Sequence, residues 1–273
     1  MDIATIAGFV LAVGSLIVGF ILDGGSLGAL FQPTALIIIF GGTLGATMIT
    51  VSLRQFLAIG KYLRISLFHK RQDALDIIDQ LVELATLARR EGILALDERL
   101  DTFDDEFLRS GLQFVVDGVD PELVKSMMET ELSYIEDRHE AAAHIFEVAG
   151  GFAPTMGIIG TVMGLVHVLS NLSDVQTLGP EIATAFTATL YGVASANVLW
   201  LPIANKLKRR NQEEVLLREI MLEGVLSIQA GENPNILGQK LKAFLAPSTR
   251  SRNSAAGARK DKAGEPSVET AQT

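Results

Sequence analysis

Four long segments without Asp, Glu, Lys or Arg limit the fold of this chain more than any other feature of its sequence. A helix needs roughly 20 apolar residues to cross the hydrocarbon core of a bilayer. The four segments cover about residues 3–22, 34–53, 148–172 and 182–204. Since backbone groups in lipid must bond within their own segment, the sequence predicts an all-α, polytopic membrane protein with four transmembrane helices and a cytoplasmic helical domain.

The placement of basic residues predicts the orientation of these spans. The connections at residues 23–33 and 173–181 contain no Lys or Arg, whereas several basic residues follow the second and fourth spans. Positively charged flanks stay on the cytoplasmic side. We therefore expect a protein of the cytoplasmic membrane, surrounded by lipid, with both termini in the cytoplasm. The basic residues are Arg54, Lys61, Arg64, Lys70 and Arg71 after the second span, and Lys206, Lys208, Arg209 and Arg210 after the fourth.

The chain divides into five predicted parts. Residues 1–53 hold the first two spans, residues 54–147 form a charged helical domain in the cytoplasm, and residues 148–204 hold the last two spans. Residues 205–247 are expected to form cytoplasmic C-terminal helices. Residues 248–273 consist of Ser, Ala, Gly and charged residues with little to bury, so we expect this tail to be disordered.

Two short sequences mark helix ends in the charged parts. Asp120-Pro121-Glu122 is typical of a helix start, because Asp caps the first turn and Pro is tolerated within it. The sequence from Gly231 to Pro234 predicts the end of the helix that follows the fourth span.

Composition excludes several classes of protein. The chain has no cysteine, its four histidines do not cluster, and its formal net charge is -9. Disulfides and thiolate metal sites are therefore impossible, and an acidic chain is a poor ligand for nucleic acid. Because no nucleophile, base and orienting group converge and no Gly-rich phosphate loop is present, we expect neither an enzyme nor a bound cofactor or metal.

The third and fourth spans contain small and hydroxyl residues that set them apart from the first two. Gly160 and Gly164 in the third span and Ala188 and Gly192 in the fourth predict close helix packing. Packing requires small side chains but not hydroxyl oxygens. The sequence leaves open whether the threonines only pack and bond to their own helices or also line an ion path. The threonines concerned are Thr155, Thr161 and Thr189.

None of the four spans contains a carboxylate, although an ion path across a membrane generally needs one. If this protein conducts ions, a partner helix must supply the acid. His167 is the only ionisable side chain within the spans, and its place near the outer end of the third span favours an ordinary interfacial role. Pro154 and Pro202 each remove a backbone hydrogen bond, and the resulting kinks are either fixed shape or hinges.

The motifs in these spans resemble those of the flagellar motor stator A subunits, the family that includes MotA, PomA and MotP. Residues 153–165, Ala-Pro-Thr-Met-Gly-Ile-Ile-Gly-Thr-Val-Met-Gly-Leu, are similar to the third-span motif of that family. Five further stretches match in the same order, and the resemblance covers nearly the whole chain except its tail. These stretches are residues 40–43, 87–92, 136–139, 188–192 and 201–208.

The resemblance implies a function that composition cannot show. In that family, five A subunits surround two single-span B subunits, and an aspartate of the B subunit binds the ion. Ion passage rotates or gates the A ring, whose cytoplasmic domain pushes on the rotor protein FliG. The partner's aspartate is the acid that the spans of this chain lack.

The resemblance also implies roles for particular residues. Pro154 and Pro202 match the hinge or gating prolines, and Thr155 and Thr189 match positions that line the channel near the partner's aspartate. Arg89 matches an arginine that acts on the rotor. The acidic position that accompanies it is Asp97 or the adjacent Glu98, and the sequence does not choose between them.

Thr161 bears on which ion passes. Its position is threonine in sodium-driven members of the family and often alanine in proton-driven ones. A hydroxyl oxygen can replace part of the hydration shell of sodium, so Thr155, Thr161 and Thr189 favour sodium over the proton.

Two rival hypotheses remain at this point. The first is an ion-driven energiser of envelope processes, of the TolQ or ExbB type, although such proteins have three spans rather than four. The second is a helical scaffold that conducts nothing. Substitution of Thr189 or Pro154 distinguishes the scaffold, because its function would survive the change.

Overall fold

The structure is a computed structural model that describes residues 3–68, 72–100, 102–103, 105–170 and 175–247. Within these residues every regular element is helical, as predicted. The chain forms two compact units. We call residues 1–70 and 135–212 the span unit and residues 71–134 and 213–273 the second unit. The tail at 248–273, predicted to be disordered, lies outside the described residues.

Four helical stretches are long and apolar enough to cross a membrane, which confirms the predicted number of spans. The first, α1 (Ile3–Leu22), coincides with the prediction. The second extends from Leu27 to Thr50. It contains α2 (Leu27–Leu30), α3 (Pro33–Leu36), one π-helical turn (Ile37–Gly41) and α4 (Gly42–Thr50).

Local sequence explains where the second span is interrupted and where it ends. Phe31 and Gln32 are extended, and Pro33 begins α3 because a first-turn proline needs no backbone donor. Ser52 caps the next helix in a capping box with Gln55. The second span therefore ends at Thr50, before the predicted residue 53, and the short helices that follow are α5 (Leu53–Leu57) and α6 (Ile59–Leu67).

The third and fourth spans are parts of much longer helices. The third lies in α10 (Pro121–Ser170), which is continuous through the predicted boundary at residue 148. The fourth extends over α11 (Val175–Ser195), a π-helical turn (Ala196–Trp200) and α12 (Leu201–Gln229). The segment after the fourth span is thus a continuation of α12, because no Gly or Pro interrupts residues 203–223.

One consequence concerns Glu181. The sequence predicts this residue in the outer connection, but it lies inside α11. Most of the predicted connection is therefore helical, and residues 171–174 lie outside the described part of the chain.

The second unit is a helical domain with an aliphatic core. Its elements are α7 (Ala74–Glu91), a 3₁₀ turn (Ile93–Leu96), α8 (Asp97–Leu100), α9 (Glu106–Val116) and α13 (Pro234–Lys242), with the ends of α10 and α12. The fully buried side chains include Ile78, Leu81, Leu96, Leu108, Leu112, Met128, Ile220 and Leu237.

Caps set the ends of these helices. The Asp120 carboxylate accepts from the backbone N–H of Glu122 at 3.0 Å, which confirms the predicted start of α10. Gly231, with φ +68°, follows the end of α12 as predicted.

The core of the span unit has a different composition. Small residues of α10 and of the fourth span pack around an aromatic group in which the Trp200 ring lies 6.4 Å from the Phe146 ring and 6.4 Å from the Phe40 ring. Phe40 and Trp200 each belong to one of the two π-helical turns, so these two turns are in contact within the core. The small residues are Ala143, Ala149, Ala153, Ala196 and Ala204.

Candidate functional site

The helices α10 and α11 approach each other most closely at two glycines. A Cβ on Gly192 would lie 2.5 Å from the carbonyl oxygen of Ala153, and a Cβ on Gly157 would lie 3.1 Å from the carbonyl oxygen of Ala188. Both obstacles are backbone atoms, which cannot move aside as a side chain can. A Cβ at Gly192 would overlap the opposite backbone, and a Cβ at Gly157 would require the two helices to separate by a few tenths of an ångström.

The predicted close packing extends along the same crossing. A Cβ on Gly160 would meet the Cβ of Ala188 at 2.8 Å, and a Cβ on Gly164 would meet the Cβ of Ala185 at 2.6 Å. The packing prediction for these small residues is therefore confirmed. Since the helices touch through glycine and alanine, short side chains beside the contact can reach the opposite backbone.

Thr161 and Thr189 have hydroxyl groups that reach the backbone of the opposite helix. The Thr161 hydroxyl lies 3.1 Å from the Gly157 carbonyl oxygen on its own helix and 3.0 Å from the Ala185 carbonyl oxygen on α11. It is also in hydrogen-bond contact with the Thr189 hydroxyl, which lies 3.4 Å from the Gly157 carbonyl oxygen. Four oxygens thus converge between two helices at membrane depth, and we call them the oxygen cluster.

The chemistry of the oxygen cluster is limited by what it contains. Hydroxyl and carbonyl oxygens are suitable ligands for a hard cation such as sodium. All four oxygens are neutral, so they can coordinate or hydrate a cation but cannot cancel its charge. In this structure the hydroxyl hydrogens bond within the cluster, and the hydroxyls would have to turn before their lone pairs faced an ion.

Thr155 does not belong to this cluster. Its side chain is exposed, and its hydroxyl donates to the Phe152 carbonyl oxygen at 2.7 Å. It precedes Thr161 by six residues, which places the two side chains about 120° apart around the helix. Of the three threonines predicted for the ion path, the structure brings together Thr161 and Thr189 and places Thr155 on another face, with Ile158 and Val162, which are also exposed.

Of the two predicted gating prolines, Pro154 lies beside these contacts and Pro202 lies further along the fourth span. Pro154 is inside α10, directly after Ala153, whose carbonyl faces Gly192. Pro202 is the second residue of α12 and follows the π-helical turn, where the Leu201 N–H bonds to the Ala196 carbonyl, five residues earlier. A proline and a π turn together weaken the regular backbone ladder at this point.

A polar network outside the predicted site joins α11 to the interrupted start of the second span. The Tyr191 hydroxyl donates to the Leu30 carbonyl oxygen and accepts from the Gln32 backbone N–H at 3.3 Å. The Gln32 side-chain amide donates to the Thr184 hydroxyl at 3.4 Å. Sequence reasoning assigned no role to these residues, although a tyrosine among small and hydroxyl residues of a span is a visible signal.

The predicted rotor residues lie in the second unit. Arg89 is exposed in the last turn of α7, and Asp97 and Glu98 are exposed in the first turn of α8. In the described chain, no ion pair within 4.0 Å joins Arg89 to either acid. Arg89 also lines a cavity of about 460 Å³ together with Gly92 and Ile228. His167, the remaining candidate, is exposed in the last turn of α10, at the end where the sequence placed it.

Comparison with known families gives two matches. Residues 99–220 match the model of the MotA/TolQ/ExbB proton channel family, and residues 6–92 match the model of the motility protein A N-terminal domain. The threonines and the prolines fall within the first range, Arg89 falls within the second, and Asp97 and Glu98 lie between the two.

Whole-chain relatives agree with these models. The chain is 41% identical over 251 residues to Motility protein A of Bacillus subtilis (strain 168), which covers 92% of this chain and 93% of the relative. It is 35% identical over 245 residues to Chemotaxis protein PomA of Vibrio alginolyticus, with coverage of 90% and 96%.

Two solved structures are similar throughout. The structure of C. jejuni MotAB has a TM-score of 0.87 at 33% identity and covers 90% of this chain and 97% of its own. The structure of the flagellar MotAB stator complex from Bacillus subtilis has a TM-score of 0.86 at 41% identity, with coverage of 90% and 98%.

Proposed function

The chain belongs to the MotA/TolQ/ExbB proton channel family, and from this premise we propose how it acts as an A subunit of the flagellar motor stator. It forms a cation channel with a single-span B subunit, and the channel couples ion flow across the cytoplasmic membrane to torque on the rotor. The two solved structures that resemble this chain are MotAB structures. This supports a B subunit as the partner of this chain. In the proposed assembly five A subunits surround two B subunits.

The observation that carries the proposal is the oxygen cluster between α10 and α11. It offers four oxygens and no charge. A cation that passes at this depth needs a carboxylate to cancel its charge. In the proposed channel, the aspartate of the B subunit provides it, while the Thr161 and Thr189 hydroxyls contribute neutral ligands.

Sodium is the ion that this arrangement favours over the proton. A sodium ion loses part of its hydration shell on entering a narrow path, and hydroxyl and carbonyl oxygens replace that shell. A proton moves along hydrogen bonds and has no need for several oxygens around one point. Thr155, which lies on another face of α10, contributes from the side on which the B subunit helix docks.

Gating uses the weakened backbone at the two prolines. Because the threonine hydroxyls bond to each other and to carbonyl groups, they become available to an ion only when α10 and α11 shift slightly. Pro154 and Pro202 have no backbone N–H, so one hydrogen bond of the helix is already missing at each of them. A shift that bends the helix at these residues therefore breaks no further backbone hydrogen bond. These prolines act as hinges between a resting state and a conducting state.

In the proposed mechanism, the second unit transmits torque to the rotor. With both termini in the cytoplasm, the exposed side chains of Arg89, Asp97 and Glu98 are available to charged groups of the rotor protein FliG. Such exposed pairs are individually weak, which suits contacts that must form and break as the rotor moves.

A threonine-to-valine series tests the channel. Valine keeps the shape of threonine and removes the hydroxyl, so Thr161→Val and Thr189→Val each delete part of the oxygen cluster. We expect both variants to lose most swimming, with sodium flux through A–B complexes in vesicles reduced on the order of tenfold, the cost of about one lost ligand interaction. Swimming speed is measured against external sodium at constant pH.

Thr187→Val is the matched control. Thr187 is buried on the same helix, but its hydroxyl donates only to the Ala183 carbonyl oxygen, one turn back. We expect this variant to swim normally. Normal swimming of Thr189→Val would reject the channel role in favour of a scaffold, and undiminished wild-type swimming without sodium would reject sodium as the coupling ion.

A further inference from the structure

The two short helices after the second span, α5 and α6, expose both apolar and basic side chains. On α5, Leu53 and Leu57 are 58% and 74% exposed, and Arg54 between them is exposed as well. On α6, Lys61 and Arg64 are exposed. We call α5 and α6 together the basic apolar segment. Exposed apolar side chains that lie close together mark an interaction surface, and the basic groups among them suit an anionic partner.

The opposite face of α6 holds this segment at the inner end of the fourth span. Ile59 and Tyr62, three residues apart on one face of α6, pack against the alanine and aromatic core of the span unit, which extends to Leu207. The Arg210 guanidinium donates to the Ile65 carbonyl oxygen at 2.9 Å. Since the fourth span is predicted to leave the hydrocarbon shortly before Leu207, the basic apolar segment lies at the membrane boundary.

The charges of this segment have no counterpart nearby in the sequence. Residues 24–72 contain five Lys or Arg and neither Asp nor Glu, although the whole chain has a formal net charge of -9. Among the residues that the structure describes, no ion pair within 4.0 Å joins Arg54, Lys61 or Arg64 to an acid. An anionic partner from outside the chain would complement all three.

The basic residues after the fourth span are used differently. Lys208 bonds to Glu147 at 2.6 Å, and Lys206 donates to the Thr5 hydroxyl. Orientation of the chain by positive flanks explains why basic residues follow both spans. It does not explain why leucines are exposed on α5, nor why the described structure pairs these lysines of α12 within the protein and leaves the basic residues of α5 and α6 directed outward.

We propose that the basic apolar segment binds anionic phospholipids of the cytoplasmic leaflet. A leaflet offers hydrocarbon and phosphate at the depth of this segment, so Leu53 and Leu57 contact acyl chains while Arg54, Lys61 and Arg64 extend to the headgroups. Each basic residue near such a surface favours an anionic lipid about fivefold. The proposal requires only that the chain spans a membrane, and it is independent of the proposed ion path and rotor contact.

Local fluorescence quenching tests which lipid lies next to the segment. The chain has no cysteine, so Leu57→Cys gives one labelling site in the A subunit of an A–B complex whose B subunit also lacks cysteine. The labelled complex is reconstituted in vesicles of phosphatidylcholine and phosphatidylglycerol, with one or the other lipid brominated as the quencher. Val18→Cys is the control site, because Val18 is 55% exposed on α1, which carries no charged residue.

At the Leu57→Cys site we expect phosphatidylglycerol to be favoured about fivefold over phosphatidylcholine, with the preference disappearing at high salt. The triple variant Arg54→Gln, Lys61→Gln and Arg64→Gln should abolish the preference. The charge-retaining pair Arg54→Lys and Arg64→Lys should keep it. At the Val18→Cys site both lipids should quench equally in every protein.

Three results would overturn the proposal. The first is equal quenching by the two lipids at Leu57→Cys at low salt, a measurement that needs no charge variant. The second is a preference that survives the triple glutamine variant, since other basic residues would then cause it. The third is the absence of quenching at Leu57→Cys while Val18→Cys is quenched, which would show that protein, such as a second copy of this chain, covers the segment.

Discussion

The buried apolar residues of the span unit are mostly alanines, whereas those of the second unit are mostly leucines and isoleucines. In the span unit, the contact between α10 and α11 is made by glycine and alanine, while Val162 and Val166 on α10 are more than half exposed. In the second unit, leucines such as Leu81 and Leu112 are fully buried, and charged residues dominate the surface. The helix α1 is the most exposed of the four spans of the span unit, since none of its 20 residues is buried.

The difference follows from the solvent that each unit is built for. In water, helices associate because burial of large apolar side chains is favourable. In lipid that gain disappears, since the tails are as apolar as leucine, and helices associate through close backbone contact and hydrogen bonds. The site depends on this second mode, because only helices that touch at Gly157 and Gly192 bring Thr161 within 3.0 Å of the opposite backbone.

Gly192→Ala should break the span unit and has the largest effect we expect. The added Cβ meets the Ala153 carbonyl oxygen at 2.5 Å, and backbone cannot yield without moving α10. We expect a loss of about 3 kcal/mol despite the better helix propensity of alanine, with swimming abolished. Thermal unfolding of the purified complex and motility provide the measurements.

Gly151→Ala is the control for that substitution. Gly151 is exposed, and a Cβ there meets nothing within 4 Å, so folding and swimming should be retained. A motile, fully stable Gly192→Ala protein would show that the helices in the membrane are further apart than in this structure.

Lys240→Met should weaken the second unit by a smaller amount. The Lys240 ammonium bonds to Glu223 at 2.5 Å, to Glu232 at 3.2 Å and to the Ser227 hydroxyl at 3.1 Å, joining α13 to α12. The side chain is 39% exposed, so screening by solvent limits the expected loss to about 1 kcal/mol. Hydrogen exchange of α13 in the full complex would detect it.

The same contact has a predictable pH dependence. The hydrogen bond to Glu223, and then that to Glu232, holds the pKa of Lys240 above its usual value of 10.5. The stabilisation is therefore complete below pH 10.5 and is lost as the pH rises through the folded pKa. Lys240→Met should lack this alkaline loss, and an identical alkaline profile in both proteins would contradict the assignment.

Gly111→Ala in the second unit should have the smallest effect, although its obstacle lies at the same distance as that of Gly192. A Cβ there meets the Met128 Cε at 2.5 Å. Methionine is flexible and can turn its terminal methyl aside, and alanine favours the helix by up to about 1 kcal/mol. We expect a net change within about 0.5 kcal/mol and normal swimming. A loss as large as that of Gly192→Ala would remove the distinction between the two units.

Sequence reasoning succeeded where the signal is local or repeated. Four uncharged segments predicted four spans, Asp120-Pro121 predicted the start of α10, and Gly160 and Gly164 predicted close packing. It failed where a helix simply continues. Glu181 follows Gly179-Pro180, a pair that usually belongs to a loop, yet α11 contains it, and Pro180 removes one backbone hydrogen bond there without ending the helix.

The partners of each polar group could not be predicted either. Thr155, Thr161 and Thr189 have the same chemistry in the sequence, but only the last two meet across the crossing. The contact of Tyr191 with Leu30 joins residues 161 apart, and no local pattern encodes such a pair.

The sequence by itself determined that this chain spans the membrane four times and that its spans carry hydroxyl oxygens without an acid, because length, charge and hydropathy are properties of each segment alone. Only the tertiary structure decided which oxygens converge and that Glu181 lies within a helix. The first of these outcomes depends on the distance and rotation of one helix against another, and in lipid these are set by contacts at a few glycines rather than by the hydrophobic pattern.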